Sequence, residues 1–565
     1  MASPSPLLRV LNASKLLCCC IILGHFLARS LNANPLSRLV KHATRVARPS
    51  IVAVDTMVDF DRCTRVERLP TTAFVVRGNT SSIPSNHPVI EAIMQRYQEC
   101  SLPGKRGPRD GHRIALAVEG GGMRGCVSAG SCAALQFMGL EDTVDCVYGA
   151  SAGAMVAAYF VSRQSAGIQI YHDVLPSAGR AFIDKTKLLA AVGIANPFQR
   201  HTGSARHRRT SSDSSSLNKS ASATTRPSAS SSSSSSSSST EVSDTNVFNL
   251  NFLLTEVMGK RQPLDWETFR RNDVQQPLFI VASSLATFEA LSFSTRSRGY
   301  GYSSLDSLLR CIRASMNVPG ITGALLGIPV GAHDPVPLPM PPNPRQRGSS
   351  ISAPDTHHAI ADAFLVEPIP YRSACRDGAT HVIVLRTRPD PSLILGKPAG
   401  LFERAICRRF FDEYAQPAAA DWVAKLRHQV VYAEDIVRLN DAARGPPEGI
   451  LVGNRAVHML PIAPAAGCRE VGQLETSRGK ILSGMRDGAR RTLQLFLPSL
   501  LAQTLAEGSS ESSSSWLGSG SALADITDIV EDIVHMILPD DVLERLTTLQ
   551  DYQDTDSLQR GASIP

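Results

Sequence analysis

The chain has 565 residues, 43% hydrophobic and 19% charged, enough to bury at least one large core and far too long for a disulfide-held miniature. Its 12 cysteines are scattered without a CxxC pair, which argues for thiols kept reduced inside a cell and against structural zinc; for the chemistry read below, no metal and no cofactor is expected. A net charge of +7 is modest for this length and shows no interleaving of basic and aromatic residues, so a nucleic-acid partner is discounted.

Residues 1–54 carry no Asp or Glu, and their Arg and Lys residues flank the apolar run "LLCCCIILGHFLA" at 16–28. This leader fits an organelle transit peptide (plastid or mitochondrion), with a secretory h-region or weak membrane anchor as the alternative. Cys18, Cys19 and Cys20 are candidates for palmitoylation. Residues 55–112 read as a polar lead-in with turn signals such as "LPGKRGPRDG". From Arg113, the runs "IALAV", "VDCVY", "PLFIVASS" and "HVIVLRT" alternate with helical patterns. Continuous apolar runs of this kind belong to strands covered on both faces, which predicts an α/β class with a central, mostly parallel sheet over 113–389.

The pattern breaks at 201–246, where ten consecutive serines (Ser230 to Ser239) and almost no large apolar residue predict a disordered insertion. Within it Ser211 follows Arg208 and Arg209, an arrangement a basophilic kinase reads, although an unmodified linker is the plainer reading. Residues 329–356 are proline-rich and predict a long loop. Helical patterns then predict a helical extension over 390–500, followed by a Ser-rich tail over 501–565. The tail's "ADITDIVEDIVHMIL" puts Ile526, Ile529, Val530, Ile533, Val534 and Ile537 on one face, expected to pack on the body of the protein. The other face is acidic (Asp525, Asp528, Glu531, Asp532), which disfavours docking on anionic lipid.

Two glycine motifs carry chemistry. Gly120, Gly122 and Gly125 follow an apolar strand and open a helix, where free N–H groups favour an anion. With Asp142 or Asp145 as ribose acid, that spacing suits a dinucleotide fold and an oxidoreductase. Downstream, Gly149, Ser151 and Gly153, with Ala150, Ala152 and Ala154 between and after them, form GxSxG between a strand and a helix. That is the setting of a nucleophile elbow, which exposes the serine Oγ on a strained turn; the bland reading is a small-residue helix packing site. A serine nucleophile also needs N–H donors aimed at the oxyanion, and the loop from Gly121 to Gly125 can supply them.

"EGGGMRG" and "YGASAG", together with "CIRASMNVPGITG" and the stretch 360–388, resemble the patatin-like phospholipase family over 113–388, with weaker similarity in "IAPAAGCREVGQLE". The resemblance implies a three-layer α/β fold and a lipid acyl hydrolase, of phospholipase A or acylglycerol lipase type, working through an acyl-serine intermediate. It implies a phospholipid or acylglycerol substrate at a membrane or lipid-droplet surface, and acyl transfer to an alcohol would use the same residues. Carried onto this chain it makes Ser151 the nucleophile in an elbow of Gly149, Ala150, Ala152 and Gly153. Gly120, Gly121, Gly122, Met123, Arg124 and Gly125 would form the oxyanion hole, with the Arg124 charge assisting. The family's base is an Asp in DG(G/A), which Asp377 matches literally. The family order of Asp, short loop, proline, helical turn and Gly-Ala before a strand instead selects Asp362, with Pro370, Gly378 and Ala379 in the later places. Asp362 is therefore the expected base, then acid, and Asp377 a helix-end cap. Ala363 and Phe364 stand where the family has two small residues, which leaves a catalytically impaired membrane-associated scaffold as the rival reading. A triad would have to recruit His381, His428 or His458, for each of which a structural role is the plainer reading.

Overall fold

The apolar runs assemble into a ten-stranded sheet. The computed structural model describes residues 78–80, 83–164, 166–187, 246–296, 300–329, 332–333, 335–337, 357–392, 411, 416–508 and 521–539. In chain order the strands are β1 (Ile114–Val118), β2 (Cys146–Ala150), β3 (Leu278–Ser284), β4 (Ala290–Phe293) and β5 (Leu326–Pro329). They continue as β6 (Val336–Pro337), β7 (His357–Ala361), β8 (His381–Leu385), β9 (Ile450–Val452) and β10 (Arg455–Ile462). The central strands run parallel in the order β3-β2-β1-β8-β10, and antiparallel wings are added by β4, β5, β6 and β7 on one side and β9 on the other.

Side-chain size sorts the two faces. In β1 the large Ile114, Leu116 and Val118 enter one core and the small Ala115 and Ala117 the other. Strand β8 divides likewise, with Ile383 and Leu385 on the first face and Val382 and Val384 on the second. Each fully buried aliphatic contributes roughly 1.5–3 kcal/mol, so strands buried on both faces hold the molecule together without any polar side. Helices α1 (Pro88–Gln98), α2 (Gly125–Phe137), α3 (Ala152–Val161), α4 (Trp266–Asp273) and α5 (Leu305–Ser315) cover the first face. Helix α6 (Tyr371–Arg376) and the later α8 (Arg427–Ala442) cover the second, while α7 (Pro417–Ala424) packs on a smaller cluster with Leu285 and Leu365. Helices α9 (Arg478–Gly508) and α10 (Ser521–Ile537) return to the first face, completing three layers.

Two sequence boundaries dissolve in the fold. The lead-in 55–112 contains α1, whose Val89, Ile90 and Ile93 sit in the main core. Its Arg96 is buried between Asp110 (2.7 Å) and Asp145 (2.8 Å). The expected helical extension 390–500 also holds β9 and β10, and β10 joins the sheet beside β8 with His458 opposite His381. Pro461 argues against a central strand, yet β9 pairs with Arg455–Val457, so among the described residues the strand has a neighbour on one side alone at Pro461. The 329–356 loop likewise contributes the short β6, with Pro337 opposite Leu326.

In the tail, Ile529, Val530, Ile533 and Val534 are buried in the main core, Ile526 and Ile537 pack at its margin, and Arg490 on α9 grips Glu531 at 2.9 Å. Among the described residues no helix is long and apolar enough to cross a membrane. The leader 1–54, Ser211 with nearly all of the 201–246 insertion, and the serine run of the tail lie outside the described residues.

Candidate active site

Strand β2 turns into α3 at Ser151, whose backbone sits at φ 52° and ψ −125°, a region that costs an L-residue about 1–3 kcal/mol. The turn can be that tight because its neighbours lack side chains. A Cβ on Gly149 would lie 2.5 Å from the Ala154 Cα, and one on Gly153 2.3 Å from the Val118 carbonyl oxygen. The strained conformation is held from outside: the Ser151 N–H donates to Ser315 Oγ at 2.7 Å.

The Ser151 hydroxyl donates to Asp362 Oδ2 at 2.8 Å. Asp362 directly follows β7, whose pairing with β3 sets Ala361 opposite Ser283, while β3 also lies beside β2. Sheet register thus brings together two residues far apart in sequence. The second carboxylate oxygen accepts the Phe364 N–H at 2.8 Å. Burial pushes the Asp362 carboxyl up to about 7, against the partly offsetting hydrogen bonds from Phe364 N–H and the Ser151 hydroxyl. The carboxylate is thereby far more basic than an exposed aspartate.

The glycine loop runs past the elbow, since a Cβ on Gly120 would fall 2.8 Å from the Ser151 Cβ. Gly121 (φ 146°) and Gly122 (φ 60°) adopt conformations that favour glycine. Of the six loop N–H groups, four already have acceptors within the protein. The Gly120 N–H is spent on the Pro368 carbonyl (3.2 Å), Met123 N–H on Gln473 (3.0 Å) and Arg124 N–H on Gly121 (3.2 Å). The Gly125 N–H turns back to the Gly122 and Met123 carbonyls. Among the described residues, the N–H groups of Gly121 and Gly122 meet no protein acceptor, and these two remain as donors. Arg124 is a buried anchor more than a free charge: its Nη1 pairs with Glu470 at 2.7 Å.

The alternative residues lie elsewhere. Asp377 ends α6 and accepts the Tyr148 hydroxyl at 2.9 Å, three residues before the elbow serine. His381 and His458 stack 4.9 Å apart at the opposite end of the parallel strands, and burial lowers both, His381 to about 3. His428 meets the edge of Phe364 at 5.5 Å and is lowered to about 4 by burial. Phe364 packs against that histidine and the cluster around Leu365, while Ala363 is interior, so the two unexpected side chains find room. Asp142 pairs with Arg163 (2.9 Å), and Asp145, which precedes β2, with Arg96 and Arg106. Both sit at the end of the sheet away from the glycine loop, which removes them as ribose acids. No His, Cys, Asp and Glu cluster among the described residues could hold a metal ion.

Several anchors carry no sequence signal. Glu119, buried just before the loop, accepts the Thr387 N–H (2.6 Å) and the Tyr432 hydroxyl (2.7 Å). Its position before a glycine run is the one hint available, and it names no partner.

A family model described as Patatin-like phospholipase matches residues 116–374. No curated protein matches the chain.

Proposed function

From the premise that residues 116–374 are a patatin-like phospholipase domain, of a family of lipid acyl hydrolases, we propose that this chain cleaves carboxylic esters of glycerophospholipids or acylglycerols by a Ser151–Asp362 dyad. The observation that carries the reading is the 2.8 Å bond from the Ser151 hydroxyl to a buried carboxylate. As Ser151 Oγ attacks the ester carbonyl, Asp362 takes its proton, and the N–H groups of Gly121 and Gly122 receive the developing oxyanion. Asp362 then gives the proton to the departing alkoxide, leaving an acyl-serine. A water molecule, deprotonated by the same carboxylate, releases the fatty acid and restores the serine; an alcohol in its place would give acyl transfer.

A carboxyl held at about 7 suits this double duty, because proton transfer is most effective when the catalytic group titrates near the working pH. The room found by Phe364 supports an active site over an impaired scaffold. The substrate would be met at a membrane or lipid-droplet surface, and a targeting role for the leader and phosphorylation of Ser211 belong to the same proposal. The test is esterase turnover of p-nitrophenyl butyrate combined with fluorophosphonate labelling. Ser151→Ala abolishes both, Asp362→Asn lowers turnover by about 10²–10⁴-fold, and Asp377→Asn changes it little. An active Asp362→Asn beside an inactive Asp377→Asn would falsify the assignment.

A further inference from the structure

Resting on that dyad, we propose that Ser315, at the end of α5, is a positioning residue that locks the nucleophile and the base into one geometry. Its hydroxyl stands between two strands. It accepts the Ser151 N–H at 2.7 Å and donates to the Val281 carbonyl of β3 at 2.5 Å. Two residues on, the Asn317 carbonyl accepts the Asp362 N–H at 2.8 Å. The Asn317 side chain is itself fixed, its Nδ2 donating to the Ala324 carbonyl at 2.9 Å and its Oδ1 accepting from Thr322 Oγ1 at 3.2 Å. Strand β3 closes the circuit, with Ser283 Oγ donating to the Asp362 carbonyl at 2.8 Å. One short stretch, Ser315 to Asn317, therefore grips the backbone of both residues of the dyad.

The grip has a specific task. Ser151 holds a left-handed φ that an L-residue leaves unless its surroundings over-determine it. Ser315 is fully buried, and without its hydroxyl the Ser151 N–H would lose the protein acceptor it has among the described residues. Relaxation of the elbow would swing Oγ away from Asp362, and misplacement by about 1 Å can cost on the order of 100-fold in rate.

The experiment measures kcat, KM and the acid limb of the pH profile for Ser315→Ala and Ser315→Cys on p-nitrophenyl butyrate. The expected result for Ser315→Ala is a kcat about 10- to 100-fold lower with KM within about twofold. Its acid limb moves to higher pH, because the Ser151 hydroxyl bond that favours the ionised Asp362 is weakened. Ser315→Cys, with a weaker acceptor of similar shape, falls between. A kcat within about twofold of the parent overturns the proposal, and so does a kcat loss with an unmoved limb, which is what general loosening would give. If Ser315→Ala fails to fold, Ser283→Ala is read by the same criteria from the base side. Failure here is separable from failure of the dyad: an active Ser151→Ala removes the dyad, whereas an inactive Ser151→Ala beside an unimpaired Ser315→Ala removes only the positioning role.

Discussion

At the scale of the residue, Asp362 is held against its own preference. Its carboxyl is ordinarily ionised above 3.8, and burial moves it to about 7 in the folded protein. The protonated form is thus the one the fold favours. That contribution to stability is complete below the unfolded value and is lost as pH rises through the folded one, so at pH 8 the ionised group costs on the order of 4 kcal/mol relative to pH below 4. Asp362→Asn removes the cost together with the proposed base. It is expected to melt at a higher temperature than the parent at pH 8, with a smaller gain at pH 5, while losing turnover. A gain equal at the two pH values, measured by calorimetry, would mean that the carboxyl is not raised. Activity of the parent carries the same signature, rising with pH through an acid limb near 7.

At the scale of the element, legibility follows the distance over which a contact closes. The elbow could be read because GxSxG meets part of its steric need within a few residues, as the close approach of Gly149 to Ala154 shows, and the glycine loop because Gly121 and Gly122 adopt conformations that favour glycine. The choice of Asp362 over Asp377 rests on family resemblance, since the literal DGA triplet falls at Asp377, where a helix ends. Ser315, Glu119 and Gln473 lie inside stretches that carry the family resemblance, but what each of them holds was not legible, because their partners arrive from other strands and helices. The pairing of α2 with α9 is of this kind. A Cβ on Gly130 would lie 1.9 Å from the Met485 carbonyl oxygen, and one on Gly488 2.1 Å from that of Val127. Both glycines permit contact of helix backbones, and Ser131 Oγ seals the crossing with a 3.1 Å bond to the Gly488 carbonyl. Gly488→Ala is expected to destabilise the fold by about 1–3 kcal/mol through overpacking. It should also depress kcat, because α9 follows the segment whose Gln473 carbonyl holds the Met123 N–H of the proposed oxyanion loop. A denaturation midpoint and kcat both unchanged would show that the helices separate freely.

At the scale of the whole molecule, the folded unit around the candidate site reaches well past the stretch that the family model matches, which stops at 374. The strand β8 that flanks β1 lies beyond it, as do Thr387 and Tyr432 on Glu119, Glu470 on Arg124, and Gln473 on the loop itself. The sequence suggested a boundary after Pro389, where strand-like runs give way to helical ones, but β10 then pairs along the full length of β8. A chain ended at residue 389 would expose the free edge of a buried parallel strand and strip α9 from α2, against which it packs closely at Gly130 and Gly488. It is expected to be insoluble or inactive even though every residue of the proposed dyad and loop is retained. Tyr432→Phe isolates the local part of this dependence: it deletes one hydroxyl and leaves a Glu119 oxygen without its 2.7 Å donor in a buried site. The cost is about 1–3 kcal/mol in stability, with kcat lowered more than KM is raised, because that carboxylate fixes Thr387, whose hydroxyl reaches the Gly120 carbonyl at 3.4 Å. A soluble, fully active fragment ending at 389 would instead mean that the later elements are ornament, and that the oxyanion loop keeps its shape without them.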